Sequence, residues 1–237
     1  MLVVERGDKI PLDRYLIGGG NNLLISPEPP PLMTLGKSFA SFEQQEGSLI
    51  IGAAMPTGRI VSYARKYDLS GFEFFAKLPG TLGGMLAMNA GVKAYEIFDI
   101  VQSIEIEGRW IDKSEITYGY RHAELPGIAT AARFPVTHGF DTLLLKSLIE
   151  LRNNQPNEAS AGSAFKNPEG DYAGRLIEAV GLKGSRRGGM GWSDLHANFL
   201  VNLGGGNFEE ALYLIELAKR RVYEHFGILL QEEIKIL

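Results

Sequence analysis

The chain has 237 residues, of which 45% are hydrophobic and 22% charged, with a formal net charge of −4. This composition is typical of a globular protein of one or two domains, and the acidic balance without a long basic run disfavours a dedicated nucleic-acid-binding protein. Cysteine is absent, which excludes disulfides, thiolate metal sites and cysteine nucleophiles, and no apolar run approaches the roughly 20 residues that span a bilayer.

The first half of the chain is predicted to form short strands joined by glycine- and proline-rich turns. The apolar run from Leu49 to Ala53 has the length of a buried strand rather than of a helix. A helix is predicted to begin with Thr57 as its capping residue and to end near Asp68. The buried face of this helix would carry Ile60, Val61 and Ala64.

A β-hairpin is predicted next, because isoleucines alternate with polar residues before a turn sequence that contains glycine. The alternating residues are Ile100, Ile104 and Ile106. Glu107-Gly108 would make the turn, and the second strand would run through Trp110 and Ile111.

The second half is predicted to be more helical. One helix would open at Asp171 and stop at Gly181, a residue typical of helix ends. A second would begin at Asn207, where Glu210 three residues later completes a capping box, and would end at Gly227.

The stretch Gly162–Pro168 concentrates reactive groups between a glycine and a proline that restrict the backbone. It contains the hydroxyl of Ser163, the cation of Lys166 and the amide of Asn167. Such a cluster can deliver a proton and hold an anionic substrate at once. By itself the cluster is a weak signal, and it gains weight because other stretches agree with it.

Two loops rich in small residues are candidates for holding a phosphate. Consecutive glycines let backbone N–H groups converge on an anion without a Cβ in the way. Each loop taken alone also fits a tight turn between packed elements. The residues concerned are Gly18, Gly19, Gly20, Asn21, Asn22 and Leu23 in the first loop, and Pro79, Gly80, Thr81, Gly83, Gly84, Asn89, Ala90 and Gly91 in the second.

Two further stretches carry charged groups of interest. In Tyr118–Arg121 a guanidinium follows aromatic residues, and it can hold a carboxylate through two parallel hydrogen bonds or form a surface ion pair. Near the C-terminus, Glu232 and Glu233 would point to opposite faces of a strand, so that only one of them can face a site.

Motifs for other nucleotide sites and for metals fail on specific residues. Gly36-Lys37-Ser38 ends like a P-loop, but Pro31 stands where the earlier glycine is required. Leu23 replaces the third glycine of a dinucleotide fingerprint, which disfavours a Rossmann domain. No metal site is predicted, because no pair at ligand spacing occurs among His122, His138, His196 and His225.

Taken together, the motifs resemble those of the UDP-N-acetylenolpyruvoylglucosamine reductase family, flavin enzymes of peptidoglycan precursor synthesis. The resemblance covers nearly the whole chain. Each segment is weak singly, but their number and order are specific. The segments are Gly18–Leu24, Leu78–Gly91, Tyr120-Arg121, Gly162–Pro168, Ala173–Glu178, His196–Asn202 and Glu233.

The resemblance implies an α+β fold. An FAD-binding module of the vanillyl-alcohol-oxidase/PCMH type, made of two subdomains, would be followed by a C-terminal α+β substrate-binding domain. We place the change of domain near residue 136, which gives domains of residues 1–135 and 136–237. The implied cofactors are FAD and NADPH, the substrate is a UDP-sugar, and we expect no nucleic-acid or membrane partner and a monomer. Because the N-terminus lacks the layout of a signal peptide, we expect a cytoplasmic enzyme.

The resemblance also implies roles for individual residues. The reaction would reduce the enolpyruvyl group of the sugar to a lactyl ether, with NADPH as the source of hydride. Arg121 and Glu233 match the family residues that stabilise an enolate-like species, and Ser163 matches the serine that hands a proton to the carbanionic carbon. Both glycine-rich loops would hold FAD. The substrate contacts would be Tyr120, Arg152, Lys166, Asn167 and His196.

The chain departs from the family pattern at several places. Few residues precede Gly18 and the Asn-Thr signature of the family is absent, so we expect either a first subdomain that lacks a strand or a sequence that continues upstream. Ala123 replaces a serine, and Gln231 replaces the first glutamate of the C-terminal motif. The short separation between Arg121 and Ser163 leaves little room for a tyrosine-bearing insertion, which places the resemblance with the shorter branch of the family.

Two other interpretations remain open from the sequence. A non-catalytic or truncated FAD-binding protein of the same fold agrees with the few residues before Gly18, but it has no need of Ser163, Arg121 and Glu233 together. An oxidase that shares the flavin-binding fold often attaches its flavin through cysteine or histidine. Cysteine is absent, and neither glycine-rich loop contains a histidine.

Overall fold

The structure is a computed structural model that describes residues 1–237. Contacts between α-carbons divide the chain into two compact units. The first unit comprises residues 1–19 and 30–152, and the second comprises residues 20–29 and 153–237. None of the helices combines the length and the apolar character that crossing a membrane would require.

Short strands and six α-helices alternate along the chain. The strands are β1 (Leu2–Val4), β2 (Tyr15–Leu16), β3 (Leu23–Leu24), β4 (Leu32–Leu35), β5 (Phe42–Gln45), β6 (Ser48–Gly52), β7 (Gly91–Val92), β8 (Tyr95–Glu96), β9 (Ser103–Ile106), β10 (Arg109–Asp112), β11 (Tyr118–Gly119), β12 (His122–Ala123), β13 (Ala129–Pro135), β14 (Ala159–Ser163), β15 (Arg186–Arg187), β16 (Met190–Trp192), β17 (Phe199–Asn202) and β18 (Lys235–Ile236). The α-helices are α1 (Thr57–Lys66), α2 (Leu82–Met88), α3 (Ile97–Ile100), α4 (Thr142–Leu151), α5 (Ala173–Ala179) and α6 (Phe208–Phe226). Three 3₁₀ turns cover Lys37–Phe39, Glu73–Phe75 and Lys113–Glu115.

The first unit is built on two sheets. A parallel sheet of three strands has the order β1-β4-β2, and an antiparallel sheet of five strands has the order β10-β9-β13-β6-β5. Each large apolar side chain that leaves water stabilises the fold by about 1.5–3 kcal/mol. The core against the five-stranded sheet includes Ile51, Ile60, Leu82, Leu86, Ile97, Ile104 and Phe134.

Two small hairpins of the first unit matter for the site. Strands β7 and β8 pair with Gly91 opposite Glu96, and strands β11 and β12 pair with Gly119 opposite His122. The second hairpin leaves Tyr120 and Arg121 as its two-residue turn.

The second unit packs helices α5 and α6 with an antiparallel sheet of order β14-β17-β16-β15. Strand β3 pairs in parallel with the C-terminal β18. The core of this unit includes Phe165, Leu176, Ile177, Trp192, Leu214, Ile215 and Val222. Both units therefore mix helices with mostly antiparallel sheets, and the predicted α+β class is confirmed at this level.

Most of the predicted elements are confirmed. The buried strand is β6, the hairpin is β9–β10, and both turn residues have positive φ, 51° at Glu107 and 86° at Gly108. Helix α6 begins with the predicted capping box of Asn207 and Glu210 and ends at Gly227, whose φ is 69°. Helix α5 is followed by Gly181, at a φ of 71°.

Three local predictions are wrong. Pro56, not Thr57, is the N-cap of α1, and the Thr57 hydroxyl instead donates to the carbonyl of Leu78. Ile100 ends helix α3 rather than starting the hairpin. Tyr172 caps α5, while Asp171 lies just before it and binds Arg175.

The boundaries of the compact units do not coincide with the predicted domain boundary near residue 136. Helix α4 belongs to the first unit because Leu148 is buried in its core. Residues 20–29 belong to the second unit because Leu24 packs on its core and β3 pairs with β18. The division into residues 1–135 and 136–237 stays a prediction about the two functional domains.

Candidate active site

The two glycine-rich loops touch each other in the first unit. A Cβ added to Gly18 would lie 2.7 Å from the hydroxyl of Thr81 and 3.8 Å from the backbone of Gly84. Any larger residue at position 18 would therefore have to displace the Thr81 hydroxyl, which lies directly before α2. The backbone N–H groups of Gly18 and Gly19 donate to no backbone carbonyl, so they are available to an anion.

The second loop is anchored to its surroundings by backbone hydrogen bonds. The carbonyl of Gly80, a residue with φ of 124°, accepts from the N–H of Thr57 at 3.1 Å. Gly83 donates its N–H to the carbonyl of Ala53 at 2.8 Å, and a Cβ on Gly83 would lie 3.3 Å from that residue. Pro79 is exposed beside these anchors. The loop is therefore held at both Gly80 and Gly83 by backbone hydrogen bonds.

The end of the second loop is buried. Asn89 is 0% exposed and caps α2 in the left-handed region, with φ of 41°. The Ala90 carbonyl accepts from Ile97, and a Cβ on Gly91 would lie 2.0 Å from the Tyr95 carbonyl oxygen. Only glycine fits at position 91.

Arg121 is held in an unusual backbone conformation. Its φ is 55°, in a region that residues other than glycine, asparagine and aspartate rarely adopt. Its Nη2 donates to the carbonyl of Gly91 at 2.8 Å, and its guanidinium carbon lies 5.2 Å from the ring centroid of Tyr120. Outliers of this kind concentrate at functional sites, where the surrounding structure enforces them.

Arg152 adds a second guanidinium in the same unit. It caps the C-terminus of α4 and is half-buried. Burial lowers the pKa of Arg152, and the positive charge of Arg121 lowers it further. Two arginines that repel each other favour an anion with more than one negative oxygen between or beside them.

In the second unit, residues 20–23 lie along the C-terminal segment. Asn22 donates its side-chain N–H to the Glu233 carbonyl at 2.9 Å, and its own carbonyl accepts from Lys235. Leu23 pairs with Lys235 in the β3–β18 ladder. A Cβ on Gly162 would lie 3.8 Å from the carbonyl oxygen of Asn21. The structure thus brings this loop close to both the Gly162 turn and Glu233.

Ser163 ends strand β14 after a bulge. Gly162 has a φ of 82°, and the register with β17 shifts between Ser160 and Ser163. The next residue, Ala164, donates to the carbonyl of Asn198 and accepts from the N–H of Glu233 at 2.8 Å. Ser163 and Glu233 are therefore carried by backbone segments that are hydrogen-bonded to each other.

Asn198 holds the Ser163 segment from the other side. It is buried, its Nδ2 donates to the Phe165 carbonyl at 2.7 Å, and its Oδ1 accepts from the Phe165 N–H at 3.0 Å. We assigned this residue no role from the sequence, although it lies in one of the segments that resemble the family. An asparagine between apolar neighbours was the only signal.

Lys166 and Asn167 follow on the same segment. The N–H of Lys166 donates to the carbonyl of Gln231 at 2.8 Å, which ties it to the C-terminal segment. The Oδ1 of Asn167 accepts from the N–H of Ala173 at 3.1 Å, so this oxygen stabilises the start of α5.

His196 is set as a hydrogen-bond donor. Its Nδ1 accepts from the N–H of Asn198 at 3.2 Å, so in the neutral ring the proton lies on Nε2. Burial lowers the pKa of His196, which keeps the ring neutral near pH 7. A Cβ on Gly174 would lie 3.2 Å from Cε1 of the ring, so glycine makes room for it.

The two adjacent glutamates have different partners. Glu232 accepts from Nζ of Lys219 at 2.8 Å. Partial burial raises the pKa of Glu232, but this bond, a backbone hydrogen bond and the charge of Lys219 together outweigh burial, so the pKa is lowered. The carboxylate of Glu232 is therefore paired with a lysine of helix α6. Glu233 is the carboxylate on the segment that contacts Asn22 and Ala164.

The chain and its fold are similar to known proteins. Residues 155–237 match the family described as UDP-N-acetylenolpyruvoylglucosamine reductase, C-terminal domain. A reductase of that name from Helicobacter hepaticus is 48% identical over 222 residues, which are 94% of this chain and 84% of the relative. One from Campylobacter jejuni is 45% identical over 95% of this chain and 89% of its own length. The crystal structure of the Thermus caldophilus enzyme superposes with a TM-score of 0.83 at 33% identity, covering 94% of this chain and 85% of that one.

These findings define an oxidoreductase with a mixed α and β fold. More narrowly, the chain belongs to the UDP-N-acetylenolpyruvoylglucosamine reductase family, as its motifs indicate.

Proposed function

We propose that this chain is an FAD-dependent, NADPH-consuming reductase that converts the enolpyruvyl group of UDP-N-acetylglucosamine enolpyruvate to the lactyl ether. The observation that carries the proposal is the 48% identity to a reductase of this name over 94% of the chain. The product, UDP-N-acetylmuramate, is a precursor of peptidoglycan. The proposal extends to the positions of the two glycine-rich loops named above, except the completely buried Asn89, and to the substrate contacts.

The glycine-rich loops fit a dinucleotide. Gly18 lies so close to Thr81 that a Cβ would meet the threonine hydroxyl, and the N–H groups of Gly18 and Gly19 are available to a phosphate. When bound, FAD would accept hydride from NADPH and return it to the terminal alkene carbon of the enolpyruvyl group. Thr81, Gly83 and Gly84 would line the same cradle.

Arg121 would bind the carboxylate of the enolpyruvyl group. Negative charge grows on this carboxylate and on the neighbouring carbon as the alkene is reduced, so a guanidinium held in advance lowers the barrier. The hydrogen bond to Gly91 and the φ of 55° fix Arg121 before substrate arrives. Tyr120 would contribute its ring beneath the guanidinium, and Arg152 would hold the diphosphate.

Ser163 would donate the proton that completes the reaction. Hydride on one alkene carbon leaves a carbanion on the other, and the hydroxyl hydrogen of Ser163 would form the new C–H bond there. A serine hydroxyl is a weak acid, so it depends on a fixed position beside a very basic carbon. The bulge before Ser163 and the hydrogen bond between the Asn198 amide and Phe165, two residues further on, support a fixed backbone position for this serine.

Glu233 would share the stabilisation of the enolate-like species, and it must be protonated if it donates a hydrogen bond. Lys166 and Asn167 would contact the anionic parts of the sugar nucleotide. His196 would donate through Nε2, as its tautomer allows.

The test is turnover with product analysis. Without oxygen, the purified, FAD-loaded protein should oxidise one NADPH per flavin in the absence of the enolpyruvyl UDP-sugar and should turn over further NADPH only when the sugar is present. The sugar should gain two hydrogens for each further NADPH consumed. Continued NADPH turnover without a reduced sugar would contradict the proposal. Parallel runs with NADH measure how strictly the phosphate on the cofactor is required.

A further inference from the structure

Asn89 caps helix α2 and is completely buried, with an exposed fraction of 0%. Its φ of 41° and ψ of 53° place it in the left-handed region, which asparagine tolerates better than most other residues. A buried carboxamide needs partners for both of its N–H bonds and for its oxygen. These partners reveal what the residue does.

All three groups of the carboxamide are bonded within the protein. Nδ2 donates to Oε2 of Glu96 at 2.7 Å and to the carbonyl of Gly119 at 3.0 Å. Oδ1 accepts from the N–H of Phe98 at 3.3 Å. Both N–H bonds are therefore used, and no surface of the side chain is open to a ligand.

The two residues that accept from Nδ2 of Asn89 each lie next to a part of the structure that holds Arg121. Gly119 directly precedes the Tyr120-Arg121 turn, so its carbonyl fixes where the turn begins. Glu96 pairs in register with Gly91, whose carbonyl accepts from the Arg121 guanidinium. Asn89 thus connects the backbone that leads into the Tyr120-Arg121 turn with the hairpin whose Gly91 carbonyl binds the Arg121 guanidinium.

We propose that Asn89 is a positioning residue, which acts on the reaction through Arg121 and contacts neither cofactor nor substrate. This role differs from the direct cofactor contact that the sequence suggested for Asn89. The kinetic part of the test rests on the function proposed above, because it assigns Arg121 to the reaction with the sugar.

A paired substitution removes one hydrogen bond and keeps the others. In Asn89→Asp with Glu96→Gln, the new amide at position 96 can donate to the new carboxylate at position 89, and that carboxylate still accepts from Phe98. Of the three bonds made by residue 89, only the bond to the Gly119 carbonyl is lost, since a carboxylate has no donor. Asn89→Gly is the second variant, because glycine adopts the same backbone conformation and removes the whole carboxamide.

Both variants should slow the reoxidation of reduced flavin by the enolpyruvyl UDP-sugar by roughly 10²-fold, the usual effect of a misplaced catalytic group. Flavin reduction by NADPH should keep its wild-type rate. In an Arg121→Gly background, the paired substitution should cause no further slowing, since both changes act through one guanidinium. Equal slowing of the two half-reactions, or losses that multiply in the Arg121→Gly background, would overturn the proposal.

Hydrogen exchange tests the same claim without any activity. The paired substitution should speed amide exchange across Tyr118–Ala123 while Ile97–Ile100 stays as protected as in the wild type. Unchanged exchange in the hairpin would contradict the positioning role, whether or not the wild type reduces the sugar. Asn207→Ala, which removes the cap of α6, is the control for general loss of stability. It should leave unchanged both the rate of flavin reoxidation by the sugar and the amide exchange across Tyr118–Ala123.

Discussion

At the scale of single residues, the proposed reaction depends on Ser163 as proton donor. Ser163→Ala should slow reoxidation of reduced flavin by the sugar by roughly 10²- to 10⁴-fold, the range for loss of general acid catalysis, and leave reduction by NADPH intact. Rapid-mixing absorption measurements of the two half-reactions check this. Ser160→Ala, on the same strand, is the matched control, because Ser160 is exposed and its hydroxyl accepts only from the nearby Gly162 N–H. Equal effects of the two substitutions would remove Ser163 from its role.

His196 gives the chain a predictable dependence on pH. Burial lowers the pKa of His196 below its ordinary 6.5, so between the two values the unfolded chain binds a proton that the folded chain does not. This contribution to the free energy of unfolding is complete above pH 6.5 and is lost as the pH falls towards the lowered folded-state pKa. Urea unfolding at a series of pH values should therefore show a shallower loss of stability in His196→Gln than in the wild type. An identical slope would mean that the imidazole is free to take up its proton in the fold.

At the same scale, sequence reasoning found residues with chemical side chains more readily than residues that hold them. Arg121, Ser163 and Glu233 stand out through motifs that resemble a family. Asn89 and Asn198 are bonded to Gly119 and Phe165, which lie 30 and 33 positions away in the chain. Only the folded chain brings such partners together, so the sequence alone does not show that these asparagines hold other segments in place.

At the scale of elements, local signals predict local structure well. Helix α6 follows from a capping box, a helical spacing and a terminal glycine, all of which lie within the element. The prediction of Thr57 as the N-cap of α1 is wrong because the preceding Pro56 already has the extended conformation of an N-cap. Thr57 is therefore the first helical residue. Strands of two residues, such as β3 and β18, carry no periodicity to read. They exist because they pair with each other.

The pairing of β3 with β18 predicts the effect of a single truncation. Leu24→Ala should lower the free energy of unfolding by about 1–3 kcal/mol, somewhat less than for a fully buried leucine, because Leu24 packs on the second core from a half-buried position. It should also speed exchange of the Leu237 N–H, which donates to the Leu24 carbonyl at 3.0 Å. Leu12→Ala is the control, since Leu12 is 82% exposed. If the two variants unfold at the same denaturant concentration, β3 is not part of the cooperative structure.

At the scale of the whole molecule, the compact units do not follow the order of the sequence. Residues 20–29 leave the first unit, contribute a strand to the second and return. A composition shift along the chain cannot reveal such an excursion, because it depends on which strand pairs with the C-terminus. The family and its α+β class were nevertheless predictable, since many short motifs in a fixed order are far more specific than any single one.

Charge at this scale also fits the proposal. The chain carries a net charge of −4, yet the proposed substrate and cofactors are anions. Attraction must therefore come from local groups, and the first unit concentrates the two guanidinium groups of Arg121 and Arg152. We expect a bound anion to reduce the repulsion between these two positive charges.

The central claim is that reducing equivalents pass from NADPH to the enolpyruvyl UDP-sugar through a flavin held by this chain. The most direct measurement follows the visible flavin absorption of the purified, FAD-loaded protein without oxygen. NADPH should bleach the band, and one equivalent of the sugar should then restore it. Bleaching that the sugar does not reverse, or no flavin band after FAD is added, would contradict the account.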